Sequence, residues 1–353
     1  MHTSIIPRFW MTGSTNRILL VFGLLASLAG CGYNPIYQTT GMVITGYSES
    51  EATPYVMQMS DANMACNLGN SLDPLVYSFG RVTDRPDTTG SLLQLLAANC
   101  SEEQAWEEEL RYLRANYQGD VPAAKDARNA AKRWHAITAE RRLKAFERAM
   151  RAYEYDPADP AAECPILHAD QDELTFLLGL LTGLQAIIND TSSGGAAGIP
   201  KDIAPQAERA AQCLDNEKWG GIPDAIRANV WLLLPDTRPA TSPDPWRVLR
   251  RSAELGVKAG FRASMALEVV AAETKGRDDV IANVIARFVA SEDGFEVSED
   301  YRLVDRVGRS VILHGSDKHW TEAYGYRTPR TYFGKMSPES STDAEVMDLD
   351  SLL

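Results

Sequence analysis

The chain has 353 residues, of which 44% are hydrophobic, and it carries a formal net charge of −13 at pH 7. The length suits one large domain or two ordinary ones, and the hydrophobic content excludes a wholly disordered chain. The excess of acidic residues repels the phosphates of nucleic acids and of anionic lipid head groups, so we expect neither as a direct partner.

A short apolar run over residues 18–28 follows Arg17 near the start of the chain. Its 11 residues fall well short of the roughly 20 that a membrane-spanning helix needs. The run ends in Leu28-Ala29-Gly30-Cys31, which resembles the lipobox of bacterial lipoproteins. The resemblance implies that residues 1–30 are removed as a signal peptide and that the thiol of Cys31 receives a diacylglyceryl group.

The residue after Cys31 is Gly32 rather than Asp. By the same resemblance, this favours an anchor in the outer membrane, with the body of the protein facing the periplasm. An ordinary secretory signal, with Cys31 unmodified, is the alternative interpretation.

If Cys31 carries lipid, four cysteines remain, and the periplasm oxidises thiols. Four cysteines allow three pairings. We favour one pairing because each of its bonds would join the ends of a local helical hairpin: Cys66 with Cys100, and Cys164 with Cys213. No cysteine or histidine spacing is typical of a zinc site.

Three further regions follow the signal peptide. Residues 31–50 contain Gly, Tyr, Thr and Pro without a helical period, and they are predicted to form a flexible tether. Residues 51–335 are predicted to form a helical domain. Residues 336–353 hold five acids and no base, which predicts a disordered acidic tail. Within the domain, apolar spacing predicts helices over 51–68, 91–99, 101–117, 122–155, 170–190, 205–214, 223–234, 246–259, 262–275, 278–290 and 297–314.

Several boundaries depend on single residues. Ser101 with Gln104 forms a capping box that starts a new helix, and Pro122 suits a first helical position. We allow a break near Thr138, and we take Asp170 as the N-cap of the next helix. The segment 297–314 is ambiguous between helix and strand, and its helical neighbours favour helix.

The segment 170–190 is the best candidate for a core helix. Leucine and isoleucine leave it almost no polar face, and its apolar part is too short to span a membrane. Gly179 and Gly183 lie four residues apart, so they would let a neighbouring helix approach closely.

Helix, loop and helix recur in units of about 30–45 residues, a period typical of helical repeat proteins. The predicted fold is therefore all-α, a short solenoid of helical hairpins. The segment 145–157 resembles the second helix of a tetratricopeptide repeat, with Ala145 and Ala152 at helix contacts and Pro157 beyond the helix end. An ordinary amphipathic helix that ends at Asp-Pro is the alternative.

A wider resemblance covers Glu173 to Arg287, about a third of the chain. Four stretches are similar to the T-component of TRAP transporters, the tripartite ATP-independent periplasmic transporters: LTFLLGLLTGLQAIIND at 174–190, KWGGIP at 218–223, DPW at 244–246 and GFR at 260–262. The resemblance implies a lipoprotein of tetratricopeptide-like fold that docks the periplasmic solute-binding protein. It also implies a homotrimer with a channel suited to a hydrophobic solute.

Two other function classes stay open. The protein could carry a lipid-like ligand in its own apolar interior, which the leucine-rich segment 173–188 would line. It could also serve as an assembly scaffold for envelope proteins. Both alternatives, like the docking of a solute-binding protein, require binding and no catalysed reaction.

Trp219 precedes two glycines and the helix-opening Pro223. The glycines suit a turn with positive φ, and we expect the indole to pack inward, with contact to a ligand or partner as the alternative.

No motif in the sequence indicates catalysis, a metal site or another cofactor. His168 lies near Asp170, Asp172 and Glu173, but acids at this position also suit a helix N-terminus. His314 and His319 are five residues apart, which is wrong for one helical face. Neither a phosphate-binding loop nor a nucleophile elbow occurs. We therefore expect a protein that is not an enzyme.

Overall fold

The computed structural model describes residues 34–338, and all regular secondary structure in this range is helical. The predicted all-α class of packed helical hairpins is confirmed. The signal peptide, the lipidation site Cys31 and residues 339–353 of the predicted tail lie outside the described residues.

The region predicted as a tether is helical. Helix α1 spans Pro35–Tyr47, and a π-helical turn over Ser48–Ala52 joins it to α2, Thr53–Met57. The Asn34 side chain accepts the Ile36 N–H, and Pro35 occupies the first turn. The prediction of a tether over 31–50 is therefore wrong from residue 35 onward, because a cap and a first-turn proline start a helix whose sequence has no amphipathic period.

Helix α3, Ala62–Ser78, follows a short break at residues 58–61. The predicted continuous helix over 51–68 is wrong at this break. The Asp61 side chain accepts the Met64 N–H at 2.9 Å, so it caps a new helix there.

The two longest helices form an antiparallel hairpin, α4 at Asp87–Tyr117 and α5 at Val121–Ala152. The predicted boundary at Ser101 is wrong, because Ser101 lies inside α4 and donates to the Ala98 carbonyl. The break near Thr138 is also wrong. The Thr138 hydroxyl of α5 donates to the Ser101 hydroxyl of α4 at 2.9 Å in the buried contact between the two helices. These two polar residues therefore connect the helices of the hairpin and do not end them.

Helix α6, Asp170–Ser193, is a core helix as predicted. It is the one described helix that is long and apolar enough to cross a membrane, and 72% of its apolar window is buried inside the protein. A β-carbon at Gly179 would overlap Ala149, and one at Gly183 would lie 2.6 Å from the Phe146 ring. The two glycines therefore bring α6 against α5, as the sequence predicted. Its N-cap is Ala169 rather than Asp170.

The second half of the domain consists of shorter helices. They are α7 (Ile203–Ala211), α8 (Ile222–Leu233), α9 (Pro245–Ala259), α10 (Ala263–Lys275), α11 (Asp278–Ser291) and α12 (Arg302–Tyr324). The last helix starts five residues after the predicted 297 and continues to Tyr324, where Gly325 takes φ 83°. Helix α12 packs on both α10 and α4, so the last described α-helix contacts the first long hairpin.

Two disulfides join Cys66 to Cys100 and Cys164 to Cys213. This is the pairing favoured from the sequence. The first connects α3 with α4, and the second connects the loop before α6 with the end of α7. Each bond therefore closes one local helical hairpin.

We predict that Gly179→Ala lowers the free energy of unfolding by about 1–3 kcal/mol, because the added methyl group overlaps Ala149 in a packed contact. Urea unfolding followed by circular dichroism measures the change. Gly46→Ala is the control, since Gly46 is also helical and has no atom within 4 Å of the added carbon. Equal stability of the two variants would contradict the close approach of α6 and α5.

Candidate functional site

A cleft runs between the first long helices and the returning helix α12. It contains two adjoining cavities that share Gln185, Val270 and Val311. The first has a volume of about 70 Å³ and the second about 320 Å³. The first cavity is lined mainly by aliphatic side chains, and the second mainly by polar and charged ones.

The first cavity is almost entirely apolar. Helices α4, α6, α10 and α12 supply aliphatic side chains, and Asn99 and Gln185 are the polar residues among those that line it. Representative lining residues are Leu95, Leu178, Leu181, Ala266, Val307 and Val311. A cavity lined by aliphatic groups stays dry and accepts apolar groups.

The second cavity is centred on a carboxylate between two imidazoles. Glu109 of α4 lies 2.8 Å from His135 Nε2 of α5 and 3.0 Å from His314 Nε2 of α12. Burial raises the pKa of Glu109, but the two histidine hydrogen bonds and the charge of Lys318 outweigh it and hold that pKa well below its ordinary value. Glu109 is therefore ionised at neutral pH, and each Nε2–H donates to one of its oxygens.

The network continues through an asparagine whose orientation is fixed by its neighbours. Arg142 NH1 can only donate, so it meets Asn189 Oδ1, and Asn189 Nδ2 then faces His135 Nδ1 at 3.1 Å. The amide donates, so His135 Nδ1 accepts. His135 is consequently the neutral tautomer that carries its proton on Nε2.

The charges in the cavity wall are paired with one another. Arg142 forms a two-bond ion pair with Glu102, and Lys318 Nζ lies 3.2 Å from Glu273. Burial lowers the pKa of Lys318, but Glu273 and Glu109 outweigh it and raise the pKa above its ordinary value, so Lys318 stays charged. The cavity therefore presents hydrogen-bonding groups without a large excess of either charge.

Two further features of the cavity wall differ from these paired charges. The Nε of Arg142 is buried and has no hydrogen-bond partner among the described residues. The half-buried Trp106 stacks on His314, with ring centroids 4.5 Å apart, and both residues line the cavity. An unpaired donor beside an aromatic wall is typical of a binding site for a small polar group.

The residues that the sequence singled out lie elsewhere. Trp219 is only 1% exposed, its Nε1 donates to Glu173 at 2.7 Å, and its ring packs on Tyr301. It lines neither cavity, and its ring is packed in the main core cluster. Gly220 and Gly221 have positive φ, as the turn requires.

The three repeat-like residues occupy structural positions. Ala145 is fully buried, and its carbonyl accepts from Ser91 of α4 at 2.8 Å. Ala152 ends α5, and the half-buried Pro157 lies in the following loop, where its carbonyl accepts from Arg209. All three residues lie outside the lining of the two cavities.

The acidic cluster after His168 serves the start of α6. Asp172 accepts the backbone N–H groups of His168 and Ala169, and Lys218 lies 2.8 Å from both Asp170 and Glu173. Within residues 34–338, the structure shows no group of three or more His, Cys, Asp or Glu side chains that could hold a metal ion.

The polar cavity was missed by the sequence analysis, although each helix carries part of its signal. Polar or aromatic residues recur at spacings of three, four or seven on otherwise core-facing sides: Glu102, Trp106 and Glu109; His135 and Arg142; Gln185 and Asn189; His314 and Lys318. On one helix, such a pattern is equally typical of a face exposed to solvent. Only the fold shows that these faces of four helices meet around one cavity.

No protein-family model, no curated protein and no solved structure matches this chain at a significant level. The functional proposal therefore depends on the geometry of the cleft and on the sequence resemblances.

We predict that Glu109→Gln lowers the free energy of unfolding at pH 7 by about 1–3 kcal/mol, because the amide cannot accept from both imidazoles. A group with a lowered pKa stabilises the fold above its ordinary pKa and loses that contribution as the pH falls further. The difference between wild type and variant is therefore expected to shrink below pH 4.5, the ordinary value for glutamate.

Urea unfolding between pH 7 and pH 3 measures this effect. Glu107→Gln is the control on the same helix, since Glu107 makes an exposed ion pair with Arg327. A difference that stays constant with pH would contradict an ionised Glu109.

Proposed function

We propose that this protein is a lipid-anchored, periplasm-facing helical component of a TRAP-type transporter. In this proposal it binds a small amphipathic solute in its cleft and docks the periplasmic solute-binding protein that exchanges the solute with it. The observation that carries the proposal is the adjacency of an apolar cavity and a polar cavity, which share the lining residues Gln185, Val270 and Val311.

The two cavities suit the two ends of one ligand. An aliphatic group would occupy the space between Leu178, Ala266 and Val307, where no hydrogen bond has to be broken. A polar head would lie in the second cavity, which Trp106 and Arg142 line. Ligand sites commonly combine an apolar enclosure with a few convergent polar groups in this way.

The charge balance of the cleft narrows the ligand class. A ligand with a full charge would compete with an existing pair, such as Arg142 with Glu102 or Lys318 with Glu273. Breaking a buried pair leaves an uncompensated charge, which costs about 3–5 kcal/mol. We therefore favour a ligand whose polar head is uncharged or zwitterionic.

Compartment and partner follow from the sequence. The lipobox at Cys31 supports an outer-membrane anchor, and the two disulfides support an oxidising compartment such as the periplasm. The stretch that resembles T-components, residues 173–287, includes most of α6 and all of α10, and both helices supply lining residues of the apolar cavity. That resemblance supports docking of a solute-binding protein and assembly as a homotrimer.

The proposal predicts that a larger residue at the junction blocks binding. Val270 is half-buried and lines both cavities, so Val270→Trp is expected to weaken binding of the neutral apolar fluorophore N-phenylnaphthylamine at least about tenfold, equivalent to about 1.4 kcal/mol. Fluorescence titration measures the dissociation constant. Val280→Trp is the matched control, since Val280 is also half-buried and lines neither cavity.

Two results would overturn the ligand proposal. One is equal binding by the Val270→Trp and Val280→Trp proteins. The other is native mass spectrometry of protein from its own membranes that shows no hydrophobic mass beyond the acyl chains on Cys31.

Docking and anchoring are tested together. Cys31→Ala is expected to leave the body folded and to move it into the soluble periplasmic fraction, because acyl chains supply most of the affinity for the membrane. The released protein is then used as bait in a periplasmic extract, with identification by mass spectrometry. Recovery of a solute-binding protein supports the proposal, whereas recovery of outer-membrane barrel proteins alone favours an assembly scaffold.

A further inference from the structure

Helix α1 exposes an apolar stripe that no other part of the described chain covers. Ile36, Val43 and Tyr47 are spaced by seven and four residues, which places them on one side of the helix. They are 70%, 64% and 63% exposed. The opposite side faces the body, where Gly41 is buried against Phe79 and Thr83.

The stripe is also free of charge. Residues 32–48 contain no acidic or basic side chain, although the whole chain has a net charge of −13. Exposed helices of soluble proteins usually carry charged residues on their solvent side. Tyrosines lie near both ends of α1, at Tyr37 and Tyr47, and both are more than half exposed. Tyrosine is enriched where one end of a side chain is apolar and the other wet, as at a membrane interface.

The position of α1 in the chain suggests what covers it. Its first residue, Pro35, follows Cys31 by four positions. Four residues span at most about 14 Å, so an acylated Cys31 would hold the start of α1 within that distance of the lipid head groups. This step rests on the lipid anchor of the proposed function.

A second copy of the chain fits the stripe less well. A stable protein interface buries about 800 Å² on each partner, which is about 20–30 residues a side, and the stripe offers three large side chains. A bilayer needs no such area, because each apolar side chain partitions separately between the head groups.

We propose that α1 lies on the surface of the bilayer, with Ile36, Val43 and Tyr47 inserted among the head groups of zwitterionic lipids. The acyl chains hold the protein at the membrane, and α1 fixes how the body is oriented on it. Because the stripe is uncharged and the body is acidic, this contact is insensitive to salt and is weakened by anionic lipid.

The test uses the full mature chain with Cys31→Ser, so that no acyl group masks the contribution of α1. Flotation with phosphatidylcholine vesicles measures the partition coefficient over a range of lipid concentrations. The double variant Ile36→Ser/Val43→Ser is expected to lower that coefficient at least about tenfold, since two apolar side chains are lost from the contact. Binding to the membrane through α1 alone is weak and reversible, so the unacylated protein is still expected in the soluble fraction of cells.

A matched control removes the same residue types elsewhere. Ile166 and Val121 are 77% and 58% exposed and lie outside α1, so Ile166→Ser/Val121→Ser is expected to partition like the parent. All four positions are exposed, and an unchanged circular dichroism spectrum verifies folding. Adding phosphatidylglycerol is expected to reduce binding, and 0.5 M salt is expected to leave binding to pure phosphatidylcholine unchanged.

Three outcomes overturn the proposal. They are equal partitioning by the two double variants, binding that requires anionic lipid, and a dimer in analytical ultracentrifugation that Ile36→Ser/Val43→Ser abolishes while no chain floats. The proposed function fails separately, through loss of acylation in the mass of the mature protein or through the Val270→Trp titration.

Discussion

The contact of Glu109 with two histidines connects parts of the chain that lie far apart. His135 belongs to the adjacent helix of the first hairpin, whereas His314 is 205 residues away from Glu109, on the last long helix. An ionised carboxylate in a mostly buried position has to be satisfied by donors, and each imidazole supplies one N–H. The position of α12 on α4 is consequently specified by polar as well as apolar contacts, and the cleft forms between them.

The cleft contains free volume inside the core and charged groups that are already paired. Its apolar part lies within the main core cluster, which spans both halves of the domain, yet it retains free volume where cores are normally filled. Its polar part contains charges that are paired before any ligand arrives. A stable fold does not need unfilled space beside paired charges, and in the proposed function this space is where the ligand binds.

Local features of the fold could be predicted from the sequence, because they depend on neighbouring residues. The leucine run of α6 and its glycines predicted a core helix in close contact with another, and the four cysteines allowed only three pairings. Polar residues at helix contacts were misread. The Ser101 hydroxyl has the pattern of a cap, but inside a helix the same group bonds a backbone carbonyl and the hydroxyl of Thr138.

The candidate site could not be predicted in the same way. Glu102, Trp106 and Glu109 are spaced like any polar helix face, and only the packing of α12 shows that they point inward. The helix at 35–47 was missed for a related reason, since an amphipathic period appears only when one side of a helix is buried in the protein and the other carries charge.

The two cysteine bridges have a mechanical consequence for the cleft. Both lie within residues 66–213, and the sequence contains no cysteine after Cys213. One wall, built on α4 and α6, is therefore attached to covalently closed hairpins, while the wall of α10 and α12 is held by weak forces alone and has its own small core. Any opening of the cleft therefore involves the second wall, because α10 and α12 can move without straining a disulfide-closed hairpin.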